Sequence, residues 1–447
     1  MSLTSTIFCL GLLPWFIMLF YLSRKKPLVK TVLLVFINII FYSWGGLNAF
    51  IFICIYILFI WILCQIIKSG INRYLFFFLI FLSTIPLLFS KYSGILNFSQ
   101  SIAVPLGISF YSFEAISLLC DIHNNKIKHK ITLLDVFLYL SFFVTVTSGP
   151  IIRFNDFKND LSKNLDKLEI VSASERIILG LFKKLLIANR IAILADYYFN
   201  GIASGGSYSA LGLWLGSFAY SLQLYFDFSG YSDIAIGIGQ LMGFQICENF
   251  NHPYCATSIT DFWRRWHMSL SSWFRDYVYI PLGGNRCSIP RHIFNLFVVW
   301  LLTGLWHGAD SSFVVWGLGY FILLTAEKYL PFIKELTESR AKHIYTLFFV
   351  NMLWIPFRAA DLNTAKNYIA GMFRLSKILV LEEKAILFIP YLLFAIIMCL
   401  PMKKLLENYQ GKKWYMVMRQ VVIFTAFILS LCALINASYT PYIYGNF

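Results

Sequence analysis

The chain has 447 residues, of which 59% are hydrophobic and only 13% charged, with a mean hydropathy of +0.69. A soluble globular protein carries about 25% charged residues, so an ordinary soluble enzyme is excluded. The net charge of +15 is spread over loops between apolar runs, which fits topology signals near anionic lipid and argues against a nucleic-acid surface.

A spanning helix needs roughly 20 mostly apolar residues. Apolar runs occur, in chain order, at residues 3–21, 31–44, 50–67, 74–90, 133–152, 293–306, 313–330, 385–400 and 421–435. Residues 210–244 are long enough for one span plus a break, or for two, and weaker candidates lie at 101–119, 177–199 and 345–357. Strand patterning is poor, and helices satisfy their own backbone groups in lipid. The expected fold class is all-α: a polytopic transmembrane helical protein of about 10–13 membrane segments. No basic residue precedes the first run, while Arg24, Lys25, Lys26 and Lys30 follow it. It therefore reads as a span with its N-terminus outside, not as a signal peptide. Lys68 and Arg73, then Lys126, Lys128 and Lys130, keep that parity.

The nine cysteines form no disulfide framework; Cys9, Cys54, Cys64, Cys120, Cys399 and Cys432 lie in apolar runs as packing residues. Cys247, His252 and Cys255 lack a fourth ligand, and no metal site is expected. Among the polar stretches, 121–130, 153–175 and 334–343 read as connecting loops, but 248–292 does not. There Ser258 or Thr260 is placed to cap a helix from Asp261 to about Val278, with Asp261 and Arg265 paired at i and i+4. On that helix Arg264, His267 and Ser271 share one polar stripe, and Pro281 with Gly283 and Gly284 ends it. An interfacial anchor explains the aromatics of this block, but not its interleaved histidine, arginines and aspartates.

Charges within apolar runs mark cavities or partners, because each costs about 2.5–3.5 kcal/mol at mid-membrane. Lys183 and Lys184 therefore belong at an interface or a cavity. Asp227 and Asp233, with Gly230 allowing a bend, are either a structural hydrogen-bond network at a helix break or one wall of a substrate tunnel. His307 lies where two apolar runs meet, and a neutral histidine there can take a proton from an attacking hydroxyl. The signatures of serine hydrolases, zinc proteases and phosphate-binding loops do not occur.

The block Phe-Trp-Arg-Arg-Trp-His267 with Ser-Ser-Trp-Phe-Arg-Asp-Tyr resembles the membrane-bound O-acyltransferase family. So do Tyr-Phe-Asp227-Phe-Ser-Gly-Tyr-Ser-Asp233, Leu-Trp-His307-Gly, Pro105–Tyr111, Ser148–Arg153 and Pro356–Arg358. These matches cover most of the chain in the family's order. The continuation Tyr279–Arg286 favours the bacterial branch that holds alginate and peptidoglycan O-acetyltransferase membrane subunits over the D-alanyl transfer proteins of teichoic acid synthesis.

The resemblance implies a helical ring around a central funnel, formed by a single domain over 1–447, with N-terminal helices in 1–120, the catalytic core in 121–373 and C-terminal helices in 374–447. It makes His307 the catalytic base and His267 the second catalytic position. Arg264 or Trp266 helps to position the acceptor or the oxyanion. Asp227, Asp233, Trp306 and Ser271 join the substrate tunnel. No cofactor is bound; acetyl-CoA or another acyl thioester is the donor. A periplasmic or membrane-anchored O-acetyltransferase partner completes transfer to a polymer, since no extracytoplasmic domain is expected in this chain. The bilayer is the bacterial cytoplasmic membrane. Tyr444, near the C-terminus, matches a tyrosine proposed to relay the acyl group. The competing expectations are D-alanyl transfer and a multi-pass transporter, the latter disfavoured because no paired halves occur.

Overall fold

The computed structural model describes residues 3–93, 105–163, 169–374 and 381–436, and among them every regular element is a helix. Two compact units emerge. One comprises the chain up to Gly180 together with Tyr231–Glu248; the other comprises Leu181–Gly230 and the chain from Asn249 onward.

The first unit begins with a π-helical turn, Ile7–Leu12, leading into α1 (Leu13–Ser23). Next come α2 (Pro27–Ser43), α3 (Leu47–Lys68), α4 (Arg73–Tyr92) and α5 (Ile108–His123). The short helices α6 (Leu133–Leu140) and α7 (Phe154–Ser162) follow, then α8 (Ile170–Phe182). The apolar run at 133–152 is not one span, because its helix stops at Leu140. Asn38 of α2 explains how: its Nδ2 donates to Ser141 Oγ (2.9 Å), and its Oδ1 accepts from the backbone N–H of Phe143 (3.2 Å). Non-helical backbone at membrane depth is tolerated when it is buried and satisfied in this way. The segment 141–151 is buried throughout.

The second unit contains a π-helical stretch, Lys183–Ala188, and α9 (Asn189–Ala203). The helix α10 (Ala210–Leu241) starts in this unit and continues through Asp227, Gly230 and Asp233, so the helix break considered there does not occur. Beyond it lie α11 (Ile259–Arg265), α12 (Met268–Phe274), α13 (Ile289–His307), α14 (Ser311–Tyr329), α15 (Pro331–Glu338), α16 (Lys342–Arg358) and α17 (Leu362–Met372). The last helices are α18 (Glu383–Cys399), α19 (Met402–Leu405) and α20 (Lys413–Ile435). By length and hydropathy α3, α4, α13 and α20 can each cross a membrane, and the pair α14–α15, bent by 89°, forms a broken span or a re-entrant loop. Several further apolar runs form helices shorter than a full span, such as α2 and α18.

Candidate active site

His307 is the last residue of α13. Its position depends on how closely α13 meets α14. A side chain at Gly304 would approach the carbonyl oxygen of Phe313 to 2.6 Å, and one at Gly317 that of Trp300 to 2.5 Å. Both glycines let the two backbones touch, as small residues do at membrane helix interfaces. The imidazole is only 5% exposed and lies in an aromatic cage. The rings of Trp306, Phe357 and Trp316 have their centres 4.5, 4.8 and 4.9 Å from it, and that of Phe313 lies at 6.2 Å.

His267 is held differently. The expected continuous helix from Asp261 is broken in two: α11 ends at Arg265, and α12 starts at Met268. At the break His267 takes a left-handed backbone conformation (φ 44°), uncommon for a residue with a side chain. The start of α11 is fixed as expected by Ser258, whose Oγ accepts from Asp261 N–H (2.9 Å), and Arg265 Nε donates to Asp261 Oδ1 (2.9 Å). Glu327 of α14 adds a cap that the sequence pattern did not reveal, accepting from Thr260 N–H (2.9 Å) and Thr260 Oγ (2.7 Å). A carboxylate there meets both the orphan N–H groups and the positive end of the helix.

The break overturns the polar stripe. Arg264 is exposed, whereas His267 is buried, so the two do not share a face. Ser271 donates to the carbonyls of Trp263 (3.2 Å) and Trp266 (3.4 Å), where it closes the end of α11.

The proton on His267 follows from its neighbours. Asn249 Oδ1 lies 3.2 Å from the backbone N–H of Ser269, which can only donate, so that amide atom is the oxygen. It also accepts from Ser269 Oγ (2.9 Å) and lies 3.1 Å from His267 Nδ1. Nδ1 therefore carries the proton, and Nε2 presents a lone pair. Nε2 is buried without a hydrogen-bond partner among the described residues. Burial pushes the His267 pKa down to about 3, so the ring is neutral at physiological pH. Phe228 stacks edge-on against it at 4.6 Å. The arrangement offers one buried acceptor nitrogen in a fixed orientation.

The two histidines belong to one aromatic body. From His307 a row of indoles runs through Trp316 to Trp354, 6.0 Å further, and to Trp266 at another 5.1 Å. Trp266 is buried and directly precedes His267.

A model of the membrane-bound O-acyltransferase family matches residues 116–360. The chain belongs to that family. It is 32% identical to the probable alginate O-acetylase AlgI of Pseudomonas putida over the full length of both proteins. It is also 32% identical to the peptidoglycan O-acetyltransferase of Helicobacter pylori, over 82% of this chain and 77% of that one. The teichoic acid D-alanyltransferase of Bacillus subtilis is 32% identical over 54% of this chain and 65% of its own. The chain is accordingly a membrane O-acyltransferase of the bacterial branch that holds the alginate and peptidoglycan enzymes.

In this acyltransferase the aspartates pair with cations. Asp227 binds Lys184 in a buried ion pair, which the π-helical turn at Lys183–Ala188 accommodates. Asp233 lies in the first unit, where it accepts from Arg176 Nη2 (3.0 Å), which also binds Glu248. Tyr444 lies outside the described residues. The Tyr279–Arg286 continuation is a tight turn locked to α13. Gly283 (φ 114°) and Gly284 (φ 57°) adopt conformations that favour glycine, and Asn295 Nδ2 donates to the Gly284 carbonyl (3.0 Å). His292 joins it: its Nε2 lies 2.7 Å from the Tyr279 hydroxyl and its Nδ1 2.7 Å from that of Tyr329.

Sequence reasoning missed Asn249, Trp316 and Trp354. Asn249 stood in the polar block without a spacing signal, and the two tryptophans lie in apolar runs with no local pattern to single them out.

Proposed function

We propose that this acyltransferase moves an acetyl group from a cytoplasmic thioester, with acetyl-CoA as donor, across the cytoplasmic membrane for O-acetylation of an envelope polysaccharide of the peptidoglycan or alginate kind. The observation that carries the reading is His307, a buried imidazole at the end of a membrane-length helix, joined by a row of indoles to the segment that bears His267. The alginate and peptidoglycan enzymes match 100% and 82% of this chain at 32% identity, and the D-alanyl enzymes of Bacillus subtilis and Streptococcus thermophilus match 54% and 74% at 32% and 29%, which supports acetyl over D-alanyl.

In the proposed reaction His307 takes the proton of an acceptor hydroxyl as its oxygen attacks the thioester carbonyl. The tetrahedral centre collapses, the carbon–sulfur bond breaks, and the proton passes to the departing thiolate. The products are an acetyl ester and a free thiol. His267 Nε2, an acceptor fixed by Asn249, orients the acceptor molecule through a donor other than the attacking hydroxyl, whose own hydrogen goes to His307. The Trp306 and Trp266 rings exclude water from the reacting atoms. The acceptor is either the Tyr444 hydroxyl, as a relay, or the substrate of a separate periplasmic or membrane-anchored transferase.

The test is mild-base release of O-linked acetate from purified cell-wall and exopolysaccharide fractions. Wild type, a deletion strain, and the deletion complemented with His307→Ala are compared. Acetate lost from one fraction and not restored by the variant names the polymer. Acetate unchanged in every fraction rejects the reading.

A further inference from the structure

Away from both histidines, the second unit holds a cavity of about 430 Å³, between α10, α16 and α18 and the loop that carries Tyr254 and Cys255. That size is within the range of small-ligand sites, roughly 300–1,000 Å³. Its few polar wall residues are already paired. Ser221 Oγ donates to Asn351 Oδ1 (2.8 Å), Asn351 Nδ2 donates to Ser217 Oγ (2.9 Å), and the Tyr254 hydroxyl donates to the Ser221 carbonyl. The Cys255 thiol points to the Cys399 carbonyl (3.8 Å). A water molecule or polar ligand would find few partners on this wall, whereas apolar cavities of this kind stay dry and take hydrocarbon.

The mouth of the cavity identifies the source. Leu393 and Ile396 line it and are also 57% and 51% exposed. They lie on α18, whose outward face continues through the exposed Ile386, Leu387 and Ile397. In a membrane protein that face meets lipid, so the cavity opens sideways into hydrocarbon. We infer that it binds one acyl chain of a bilayer phospholipid, inserted between α18 and the α10–α16 pair. The chain would back Tyr254, whose ring lies 6.1 Å from Phe262 and 6.2 Å from Trp266 on the segment that bears His267.

The experiment uses the full chain in nanodiscs containing a phospholipid with a diazirine on one acyl chain. After irradiation, adducts are mapped by mass spectrometry. Adducts on the inner wall at Tyr254–Cys255 and Val350–Asn351, together with adducts on the outer α18 residues Ile386 and Ile397, are expected. Leu222→Trp and, separately, Val350→Phe fill the cavity and should abolish the inner adducts while the outer ones persist, which also reports that the helix is still folded. Inner adducts absent from the parent protein, or unchanged in both filled variants, would overturn the inference.

Discussion

His307 and His267 lie in one aromatic cluster, yet different forces hold them. His307 ends a helix whose glycines let α14 press directly on α13, and aromatic rings pack around its imidazole. His267 sits at a break between two seven-residue helices, in a left-handed conformation, tied by hydrogen bonds to Asn249. Packing fixes where the first ring is. Hydrogen bonding fixes which nitrogen of the second carries the proton. The two should respond to opposite kinds of substitution.

The largest effect is expected at the reacting group. His307→Ala should lower acetate transfer by about 10²–10⁴-fold, the range for loss of a general base, at unchanged protein level. Transfer that survives at the parental rate would assign His307 to the aromatic core alone. A packing change should instead appear as lost folding. Gly304→Leu drives a side chain toward the Phe313 carbonyl and should cost about 1–3 kcal/mol or more, seen as a lower melting temperature in detergent. An equal loss of stability from Asn249→Ala without any loss of transfer would erase the contrast between the two supports.

Asn249→Leu removes the acceptor for three donors and should cost about 1–3 kcal/mol, with transfer per folded protein falling further than in Gly304→Leu, because the His267 ring is no longer oriented. The backbone at His267 gives a finer test. A residue with a side chain in the left-handed region is disfavoured by roughly 1–2 kcal/mol, so His267→Gly should be more stable than His267→Ala despite the poorer helix former. The reverse order in thermal melts would remove the strained break from the account.

The smallest effect concerns pH. Folded His267 titrates near about 3, while an unfolded histidine titrates near about 6.5. Between these values the unfolded chain binds the extra proton, so stability is full above about pH 6.5 and declines as pH falls toward about 3. His267→Gln should therefore lose less stability than the parent between about pH 7 and about pH 4, measured by thermal melts. Parallel curves would mean that His267 is not buried as a neutral ring.

The membrane character and the helical class were legible in the sequence, because apolar run length is a local property. So were the Ser258 cap and the Asp261–Arg265 pair, which depend on residues three or four apart. The interruption of the run at 133–152 and the buried partner of Asp227 were not, since each depends on a residue distant in sequence. Asn38 stabilises an unwound segment about a hundred residues away, and Lys184 gives Asp227 a counter-charge inside an unbroken helix.

By itself, then, the sequence determined what must be buried and which residue types could do chemistry. Composition and period act through the chain's own neighbours in space along one helix. Only the tertiary structure decided that Arg264 faces outward while His267 is buried, that Ser271 serves the backbone, and that Trp316 and Trp354 join the two histidines. Those outcomes follow from a helix broken at one left-handed residue and from contacts between elements far apart in sequence, and neither leaves a period to read.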